Sequence, residues 1–222
     1  MNIDNIKIGK ELGQGDCGIC HVINDEYVLK KFYEPLPVVD LDKFKYFLKY
    51  KNDSIMFPIN FIYDDVYLYG HISKRAFGKR LVDTFSSSNL LNMSTHSIKL
   101  ENNIKYISKG KIQMFDIHDE NVIYDGNKFS VIDTDQYFKM NNLYTIKEVE
   151  NINIGYYKNM IKELTISNLS KFKYNRFIID KLYKYEKLNM SGSEMIYKIK
   201  CDLDKYYKED IKSIEDIGKV IR

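Results

Sequence analysis

The sequence predicts an α+β protein, in which a small five-stranded antiparallel sheet with one helix comes first and a mainly helical region follows. Two observations predict this class. Near the start of the chain, short apolar runs alternate with turn signals, which is typical of strands. Past about residue 145 the chain is rich in Lys and Tyr and has a helical pattern, with breaks near Ser167–Ser170 and Met190–Ser193.

Three strands open the predicted sheet, over about residues 6–13, 18–23 and 26–33. The residues Asn24–Glu26 stand between two apolar runs, as the turn of a hairpin does. The sequence EPLPVV follows and holds two of the three prolines of the chain. We expect these prolines to break any regular element at that point.

One helix and two further strands complete the predicted sheet region. The helix is expected over about residues 40–51, where apolar side chains recur at helical spacing: Leu41, Phe44, Phe47 and Leu48. The two strands lie in the sequence MFPINFIYDDVYLYGHIS and are joined at Asp64-Asp65. Five strands and one helix therefore precede the helical region.

A second helix is expected from Ser94 to Gly110, because Ser and Thr favour helix starts and Gly favours helix ends. An acid-rich loop and two short strands, NVIYD and KFSVID, follow it. The stretch from Met114 to Tyr137 contains five aspartates and one glutamate. Because clustered carboxylates repel one another, this stretch predicts either a bound cation or a polar hairpin whose acids face water.

Size and composition place the chain among ordinary globular proteins. We expect one domain over residues 1–222, with an N-terminal lobe over about 1–73 and a C-terminal lobe over about 74–222. The net charge of +3 and the lack of a basic block in the sequence argue against a nucleic-acid partner. No run approaches the ~18 apolar residues of a membrane span. The sequence therefore predicts a cytoplasmic protein with no membrane partner.

The cysteines give a weak metal signal. Cys17 and Cys20 have the C-x-x-C spacing of half a zinc site, but no second Cys/His pair follows in the sequence at ligand spacing. With Cys201 the chain has three cysteines, which argues against a disulfide framework.

A glycine-rich stretch is the first candidate binding element. In LGQGDCGIC, Gly13, Gly15 and Gly18 fit the pattern G-x-G-x-x-G. Glycines let backbone N–H groups approach phosphate oxygens because no Cβ intervenes. A dinucleotide-binding unit requires a helix after the glycines. A strand pair follows here instead, which favours a hairpin that folds over a nucleotide.

Lys30 is the second candidate, on the strand that follows the glycine hairpin. It comes twelve residues after Gly18. Alternate residues of a strand share a face, so Val28, Lys30 and Phe32 predict one mostly enclosed face. An isolated lysine at a strand end usually lies on the surface. The position one strand after a glycine hairpin favours a phosphate-binding role instead.

Three oxygen-bearing residues of the acid-rich stretch are candidates for metal and proton chemistry. Asn121 follows Asp116 by five residues, and Asp133 ends the apolar strand FSVID. An amide oxygen and a carboxylate are hard ligands, suited to an Mg²⁺ that bridges polyphosphate oxygens. A further carboxylate can accept the proton of an attacking hydroxyl.

In order and spacing, these residues resemble the protein-kinase superfamily over about residues 8–137. MFDIHDEN resembles the catalytic loop H-R-D-L-K-P-E-N, with D, E and N in register. The Gly-rich loop, the V-A-I-K lysine and the D-F-G aspartate correspond to the three glycines, Lys30 and Asp133. The resemblance implies a two-lobed protein-kinase-like fold and an ATP-dependent phosphotransferase with ATP and Mg²⁺ as cofactors.

The resemblance also implies a role for each residue. Asp116 is then the catalytic base, Asn121 and Asp133 hold Mg²⁺, and Lys30 pairs with the α- and β-phosphates of ATP. The nucleotide site also includes the three glycines, Val28, and Cys20 at the position of the valine that covers adenine. Asp119, Glu120 and Asp125 are expected to be solvated loop or turn acids.

The chain departs from the family pattern in the catalytic loop and after it. Met114 and Phe115 replace the family histidine and arginine, and A-P-E is absent from the sequence that follows. We therefore expect no activation-loop phosphorylation switch. Asp135 replaces the glycine of D-F-G. His118 replaces the lysine two residues after the base, either as an orienting or exposed loop residue or in contact with the substrate.

The predicted helix over 40–51 lacks the glutamate that should pair with Lys30. Asp40 and Asp42 are the acids available there, and Asp42 is the preferred partner. The alternative is that Asp42 is a helix-start aspartate favoured by the helix dipole.

Three functions remain open. The first is a small atypical Ser/Thr protein kinase of bacterial or phage type, with a protein substrate. The second is a phosphotransferase for a small alcohol, similar to the aminoglycoside and choline kinases. The third is a nucleotide-binding pseudokinase. The retained lysine, base and two metal ligands argue against the third, and the small helical lobe favours a protein over a small alcohol.

Overall fold

The computed structural model describes residues 7–172, 176–188 and 190–221. The chain divides into two units. The first unit contains the chain up to Ala76 and, in addition, Ile132–Asp135. The second contains Phe77–Val131 and the chain from Gln136 onward. The single domain with lobes over about 1–73 and 74–222 stays a prediction.

The first unit is built on a five-stranded antiparallel sheet in the order β1-β2-β3-β5-β4. Its strands are β1 (Glu11–Gly15), β2 (Gly18–Val22), β3 (Tyr27–Pro37), β4 (Pro58–Tyr63) and β5 (Tyr67–Lys74). The sequence predicted this sheet, and the structure confirms it. The first strand, predicted over about residues 6–13, differs in its bounds: residue 6 lies outside the described residues, residues 7–10 are not in a strand, and β1 extends to Gly15. The predicted turn between the last two strands is also present: the Asp64 carboxylate accepts hydrogen bonds from the backbone N–H groups of Val66 and Tyr67.

The third strand is longer than predicted, because Pro35 does not end it. β3 continues through Pro35 to Pro37. Its pairing with β5 shifts register between Lys31 and Leu36 and then resumes at Leu36 and Pro37. Proline has no N–H to donate, and a bulge is one of the places where a strand tolerates it. Pro35 therefore marks an irregularity within the strand, and Pro37 is its last residue.

The predicted helix over 40–51 is shorter and tighter than an α-helix of that length. α1 spans Leu41–Lys45, and a 3₁₀ helix over Tyr46–Lys49 continues it. The buried side chains are those of Leu41, Phe44 and Phe47, three residues apart, whereas Leu48 is exposed. A 3₁₀ helix has three residues per turn, so a period of three keeps one face in the core. The stacked rings of Phe47 and Phe57 extend this core.

The second unit is mainly helical. Its helices are α2 (Leu81–Thr84), α3 (Leu90–Ser108), α4 (Ile146–Leu169), α5 (Arg176–Lys187), α6 (Gly192–Tyr207) and α7 (Ile217–Val220). Two small sheets complete it, with strands β6 (Lys79–Arg80), β7 (Ile112–Gln113), β8 (Val122–Tyr124), β9 (Phe129–Val131) and β10 (Phe138–Lys139). β8 pairs with β6 and β9, and β7 pairs with β10. In the described parts of the chain, no helix is long and apolar enough to cross a membrane.

The helix predicted from Ser94 begins about one turn earlier, at Leu90. Asn89 caps it, since its side chain accepts a hydrogen bond from the backbone N–H of Asn92 at 3.0 Å. The hydroxyl of Ser94 donates instead to the carbonyl of Ser193, at the start of α6. Ser94 therefore joins two helices and does not cap one.

A buried polar cluster joins α3, α4 and α6. The Glu101 carboxylate accepts hydrogen bonds from the backbone N–H of Ser193 at 2.7 Å and from its hydroxyl at 3.2 Å. The hydroxyl of Tyr157 on α4 pairs with that of Ser97 on α3 at 2.5 Å. Because Glu101, Ser97 and Tyr157 are all buried, these bonds satisfy groups that would otherwise be costly to enclose.

Candidate functional site

One cross-strand row of the sheet holds several of the predicted site residues. Gly13 on β1 is opposite Cys20 on β2, and Cys20 is opposite Lys30 on β3. Lys30 is in turn opposite His71 on β5, and His71 is opposite Phe61 on β4. Directly opposed residues project from the same face of a sheet. The antiparallel register therefore places Gly13, Cys20, Lys30 and His71 on one face.

The Lys30 ammonium forms ion pairs with two carboxylates in the first unit. Its Nζ contacts Oδ1 of Asp133 and lies 2.5 Å from Oδ2 of Asp135. Lys30 is only 5% exposed. A buried lysine requires such partners, because an unpaired ammonium is costly to remove from water. The structure thus brings together two predicted site residues that lie 103 positions apart in the sequence.

The acid that the sequence suggested for Lys30 is not its partner. The Asp42 side chain is 88% exposed, and its partner is Lys45 at 3.4 Å. Asp40 is also exposed. The prediction of an Asp42–Lys30 pair is therefore wrong. The residue that replaces the D-F-G glycine, Asp135, supplies the second carboxylate instead.

Asp135 is the centre of a buried charge cluster. Its Oδ1 lies 2.7 Å from Nε2 of His71, and its Oδ2 pairs with Lys30. Burial by itself raises the pKa of the Asp135 carboxyl, but the charges and hydrogen bonds of His71 and Lys30 outweigh burial and hold that pKa below its usual range. Burial likewise lowers the pKa of Lys30, and Asp135 and Asp133 together raise it above its usual range. Both groups are therefore charged at neutral pH.

The two carboxylate oxygens of Asp133 have different neighbours. Oδ1 contacts the ammonium of Lys30, and Oδ2 lies near the glycine-rich hairpin. The Asp133 side chain is 32% exposed, in contrast to the 7% of Asp135. A Cβ built at Gly15 would lie 3.6 Å from Oδ2 of Asp133. This carboxylate therefore lies beside the backbone of the glycine-rich hairpin and keeps an accessible oxygen.

The predicted glycines differ in how much space surrounds the position of a Cβ atom. A Cβ at Gly18 would lie 2.2 Å from the carbonyl oxygen of Lys31, so only glycine lets β2 and β3 approach this closely. A Cβ at Gly13 would meet nothing within 4 Å. Gly18 is thus required for the fold of the hairpin, while Gly13 leaves open space on the exposed strand β1.

Cys20 and Val28 lie close to this row. Both are partly buried, and Val28 precedes Lys30 by two residues on β3, on the same face of the strand. Burial raises the pKa of the Cys20 thiol to about 11, with Asp133 and Asp135 adding to the rise and Lys30 opposing it. Cys20 is therefore a neutral thiol at neutral pH and behaves as a small apolar side chain.

In the second unit, the loop after β7 brings Asp116 and Asn121 together. The Nδ2 group of Asn121 donates to the Asp116 carbonyl at 3.2 Å and to its carboxylate Oδ2 at 3.3 Å. His118 lies on the other side, with Nε2 at 3.6 Å from Asp116 Oδ1. The Asp116 side chain is 43% exposed, so it is accessible to a reacting group.

Two of the predicted aspartates have a left-handed backbone. The φ angle is +72° at Asp116 and +54° at Asp133. Two other described non-glycine residues have positive φ, and both follow helices: Lys208 ends α6, and Lys111 comes shortly after α3. A left-handed residue is common at a helix end. No helix end explains Asp116 or Asp133, and such conformations concentrate at functional sites.

Met114 and Asn153 hold the start of this loop. Met114 stands at the position of the histidine in the protein-kinase pattern. Its apolar side chain is fully buried. Its backbone N–H donates to Oδ1 of Asn153, and Nδ2 of Asn153 donates to the Ser108 hydroxyl and to the carbonyl of Ile112. One buried amide on α4 therefore fixes the end of α3, β7 and the approach to Asp116.

Asp133 in the first unit and Asn121 in the second each offer an oxygen of the kind that Mg²⁺ binds. In the described part of the chain, no three His, Cys, Asp or Glu side chains are grouped as a cage for a metal ion. Mg²⁺ bound with ATP needs only one or two protein ligands, because phosphates and waters supply the rest. The accessible oxygen of Asp133 fits this requirement. So does Asn121, since the hydrogen bonds of its side chain to Asp116 use Nδ2 and not the amide oxygen.

Comparison with known proteins supports the architecture. A solved structure described as the autoinhibited serine kinase domain of the giant muscle protein titin matches with a TM-score of 0.58. The chain has a protein-kinase-like fold. The match covers 86% of this chain and 78% of the titin domain at 16% sequence identity, which shows the fold alone. No family model matches the sequence, and no curated protein matches it.

Sequence reasoning missed Asp135, His71 and Asn153. Asp135 was assigned only as a replacement for the glycine of D-F-G. Its charge was the available signal, because a buried carboxylate requires a basic partner. His71 is opposite Lys30 in the sheet, and only the register of β3 on β5 reveals this. Asn153 lies on a helix whose apolar pattern gave no reason to single out one amide.

Proposed function

We propose that the protein is an ATP-dependent phosphotransferase that transfers the γ-phosphoryl group of Mg·ATP to a hydroxyl group. The preferred acceptor is a serine or threonine of a protein. In this proposal Lys30 pairs with the phosphates, Asp133 and Asn121 hold Mg²⁺, and Asp116 is the base. The phosphotransferase chemistry comes from the family resemblance, and the residues that would perform it are those described above.

The ion pair between Lys30 and Asp133 carries the proposal. These residues were assigned from two separate motifs, one on β3 and one after β9, and they form one ion pair within the first unit. A purely structural lysine has no need of a partner with an accessible second oxygen beside a glycine hairpin. A residue that binds phosphate beside a metal ligand does.

Asp116 is suited to accept a proton from the attacking hydroxyl. It is partly exposed, and the contact with Asn121 fixes the orientation of its carboxylate. The left-handed backbone at Asp116 aims the side chain in a direction that a helical or extended residue would not. When bound, Mg²⁺ would neutralise charge that develops on the phosphoryl oxygens.

An exposed aromatic residue supports a protein acceptor over a small alcohol. Phe115 directly precedes Asp116 and is 50% exposed. An apolar ring beside the base offers a contact to a side chain of a bound peptide, whereas a small polyol gains little from it. The same position in the family pattern is an arginine, so Phe115 also removes a partner for a phosphorylated loop.

The test is phosphoryl transfer from γ-labelled ATP with Mg²⁺, with the wild type and Asp116→Asn compared. Each protein is incubated alone, with a cell lysate, and with a pool of small alcohols that includes aminoglycosides and choline. Label on protein bands that disappears in Asp116→Asn supports the proposal. Label in a small product alone assigns a small-alcohol phosphotransferase instead.

Measuring nucleotide binding distinguishes a pseudokinase, which binds ATP without transferring phosphate, from a protein that does not bind ATP at all. Affinity for a fluorescent ATP analogue is measured with and without Mg²⁺ for the same two proteins. Tight binding without transfer in any mixture indicates a pseudokinase. If the wild type neither binds the analogue nor transfers phosphate, the proposed function is wrong.

A further inference from the structure

We infer that Asp135 is the residue that positions Lys30, and that His71 holds Asp135 in place for this purpose. This inference rests on the proposed function, because it assigns to Asp135 the task that a helix glutamate has in the family that the sequence resembles. It also has a consequence for regulation. The ion pair of Lys30 is then independent of the helix α1.

The geometry gives each oxygen of Asp135 a separate partner. Oδ2 lies 2.5 Å from Nζ of Lys30, and Oδ1 lies 2.7 Å from Nε2 of His71. All three side chains are buried. A carboxylate that is anchored at one oxygen has a fixed direction at the other, so His71 determines where Asp135 holds the ammonium.

The two acids around Lys30 are suited to different tasks. Asp133 is partly exposed and keeps one oxygen toward the glycine hairpin, whereas Asp135 is enclosed and both of its oxygens are engaged. A metal ligand must be accessible, but a positioning residue need not be. If Asp133 binds a cation, Asp135 still supplies Lys30 with a carboxylate.

The helix α1 supplies no alternative. Its acid Asp42 is exposed to solvent and pairs with Lys45. Within the described residues, Asp133 and Asp135 are the carboxylates within ion-pair distance of Lys30. Moving α1 would therefore break no ion pair that the described residues form with Lys30.

The sheet explains why a histidine fits at position 71. Lys30 and His71 are direct cross-strand neighbours, so both project toward the same carboxylate. The ring of His71 packs edge-on against Phe32, with ring centroids 5.9 Å apart. This packing fixes the plane of the imidazole and hence the direction of Nε2.

The test follows the reactivity of Lys30 in the full chain. Acetylation of lysines by an N-hydroxysuccinimide ester is timed by mass spectrometry for wild type, Asp135→Asn and the matched control Asp42→Asn. The reagent reaches a buried amine only when its ion pair opens, so the acetylation rate reports how firmly Lys30 is held. We expect Asp135→Asn to raise the rate at Lys30 at least tenfold, while exposed Lys74 keeps its rate in all three proteins.

A second pair of variants tests His71 and guards against misfolding of Asp135→Asn. His71→Gln retains an N–H donor, whereas His71→Leu removes it. We expect His71→Leu to raise the acetylation rate at Lys30 and to lower kcat for phosphoryl transfer by about 10- to 100-fold. His71→Gln should restore most of both, with the KM for ATP changed less than kcat.

The outcomes separate this inference from the proposed function. If Asp42→Asn changes Lys30 as much as Asp135→Asn does, or if neither Asp135→Asn nor His71→Leu changes it, the inference is wrong. If the wild type transfers no phosphate, the proposed function fails, and the acetylation rates still decide whether Asp135 holds Lys30.

Discussion

Lys30 and His71 lie opposite each other on β3 and β5, and both reach the carboxylate of Asp135. The pairing of two strands thus aims two basic side chains at one acid that belongs to a distant part of the sequence. The positive charge of the buried Lys30 is balanced by two carboxylates, because Asp133 also contacts its ammonium.

Replacing Lys30 by methionine should destabilise the protein by about 3–5 kcal/mol, because it leaves Asp135 buried without its ammonium partner. Urea unfolding measures the change. Adding Asp135→Asn to Lys30→Met should recover part of the loss, since the uncompensated charge is then gone. Lys74→Met is the matched control on a surface strand position, where the side chain is 55% exposed. A double variant that is no more stable than Lys30→Met would contradict the coupling.

Substitution by alanine should reduce the stability of the protein at Gly18 but not at Gly13. Gly18→Ala places a Cβ 2.2 Å from the Lys31 carbonyl oxygen, so it should destabilise the fold by about 1–3 kcal/mol. Gly13→Ala meets open space and should leave the stability within about 0.5 kcal/mol of wild type. If phosphates lie against this hairpin, Gly13→Ala should still weaken ATP binding. Thermal unfolding and titration of an ATP analogue check the two effects, and equal stability losses would argue against the described pairing of β2 and β3.

The start of α3 can be tested at its cap. Asn89→Ala removes the side chain that accepts a hydrogen bond from the N–H of Asn92, which should cost about 1 kcal/mol. Thr95→Ala is the control, because its hydroxyl donates to the Leu91 carbonyl within the helix and caps nothing. Chemical denaturation of both variants gives the comparison. A larger loss for Thr95→Ala would place the helix start nearer to Ser94, as the sequence first indicated.

The stability contributed by Glu101 should depend on pH. Burial raises the pKa of its carboxyl, and the hydrogen bonds from Ser193 only partly oppose this. A raised folded-state pKa means that the native protein binds the proton more tightly than the unfolded chain does. Glu101 therefore favours folding most at acid pH, and this contribution falls as pH rises from the unfolded pKa through the folded one.

Glu101→Gln removes this titration while keeping an acceptor for the backbone N–H of Ser193. Relative to this variant, the wild type should become less stable between pH 4 and pH 7. Urea unfolding at the two pH values gives the difference, with Glu163→Gln as the exposed control. A difference that stays constant with pH, or that changes in the opposite direction, would show that Glu101 does not titrate as described.

The fold could be predicted from the sequence because its signals are local. Turn residues and apolar runs marked the strands of the sheet, and the same reasoning located the breaks between α4, α5 and α6. Errors arose where tertiary contacts override local preference. A register shift accommodates Pro35 in β3, and a buried period of three converts the end of the predicted helix into a 3₁₀ turn.

Only the site residues that belong to sequence motifs could be predicted. Lys30 and Asp133 were assigned from their neighbours in the sequence, and the structure brings them into contact. The partnership of Asp135 with His71 depends on strand register and on a contact across more than sixty positions, which no local pattern encodes. Backbone conformation at Asp116 and Asp133 is equally invisible in the sequence, since aspartate enters the left-handed region more readily than most residues but adopts the other regions as well.

The inclusion of Ile132–Asp135 in the first unit affects how this chain can mature on the ribosome. Lys30 is synthesised 103 residues before Asp133, a delay of roughly 5 to 20 s at typical elongation rates. During that interval Lys30, which is buried in the folded protein, has neither Asp133 nor Asp135 as a counter-ion. We therefore expect the first unit to complete its folding only after the middle of the chain has been synthesised, and not in the usual order in which an N-terminal unit folds first.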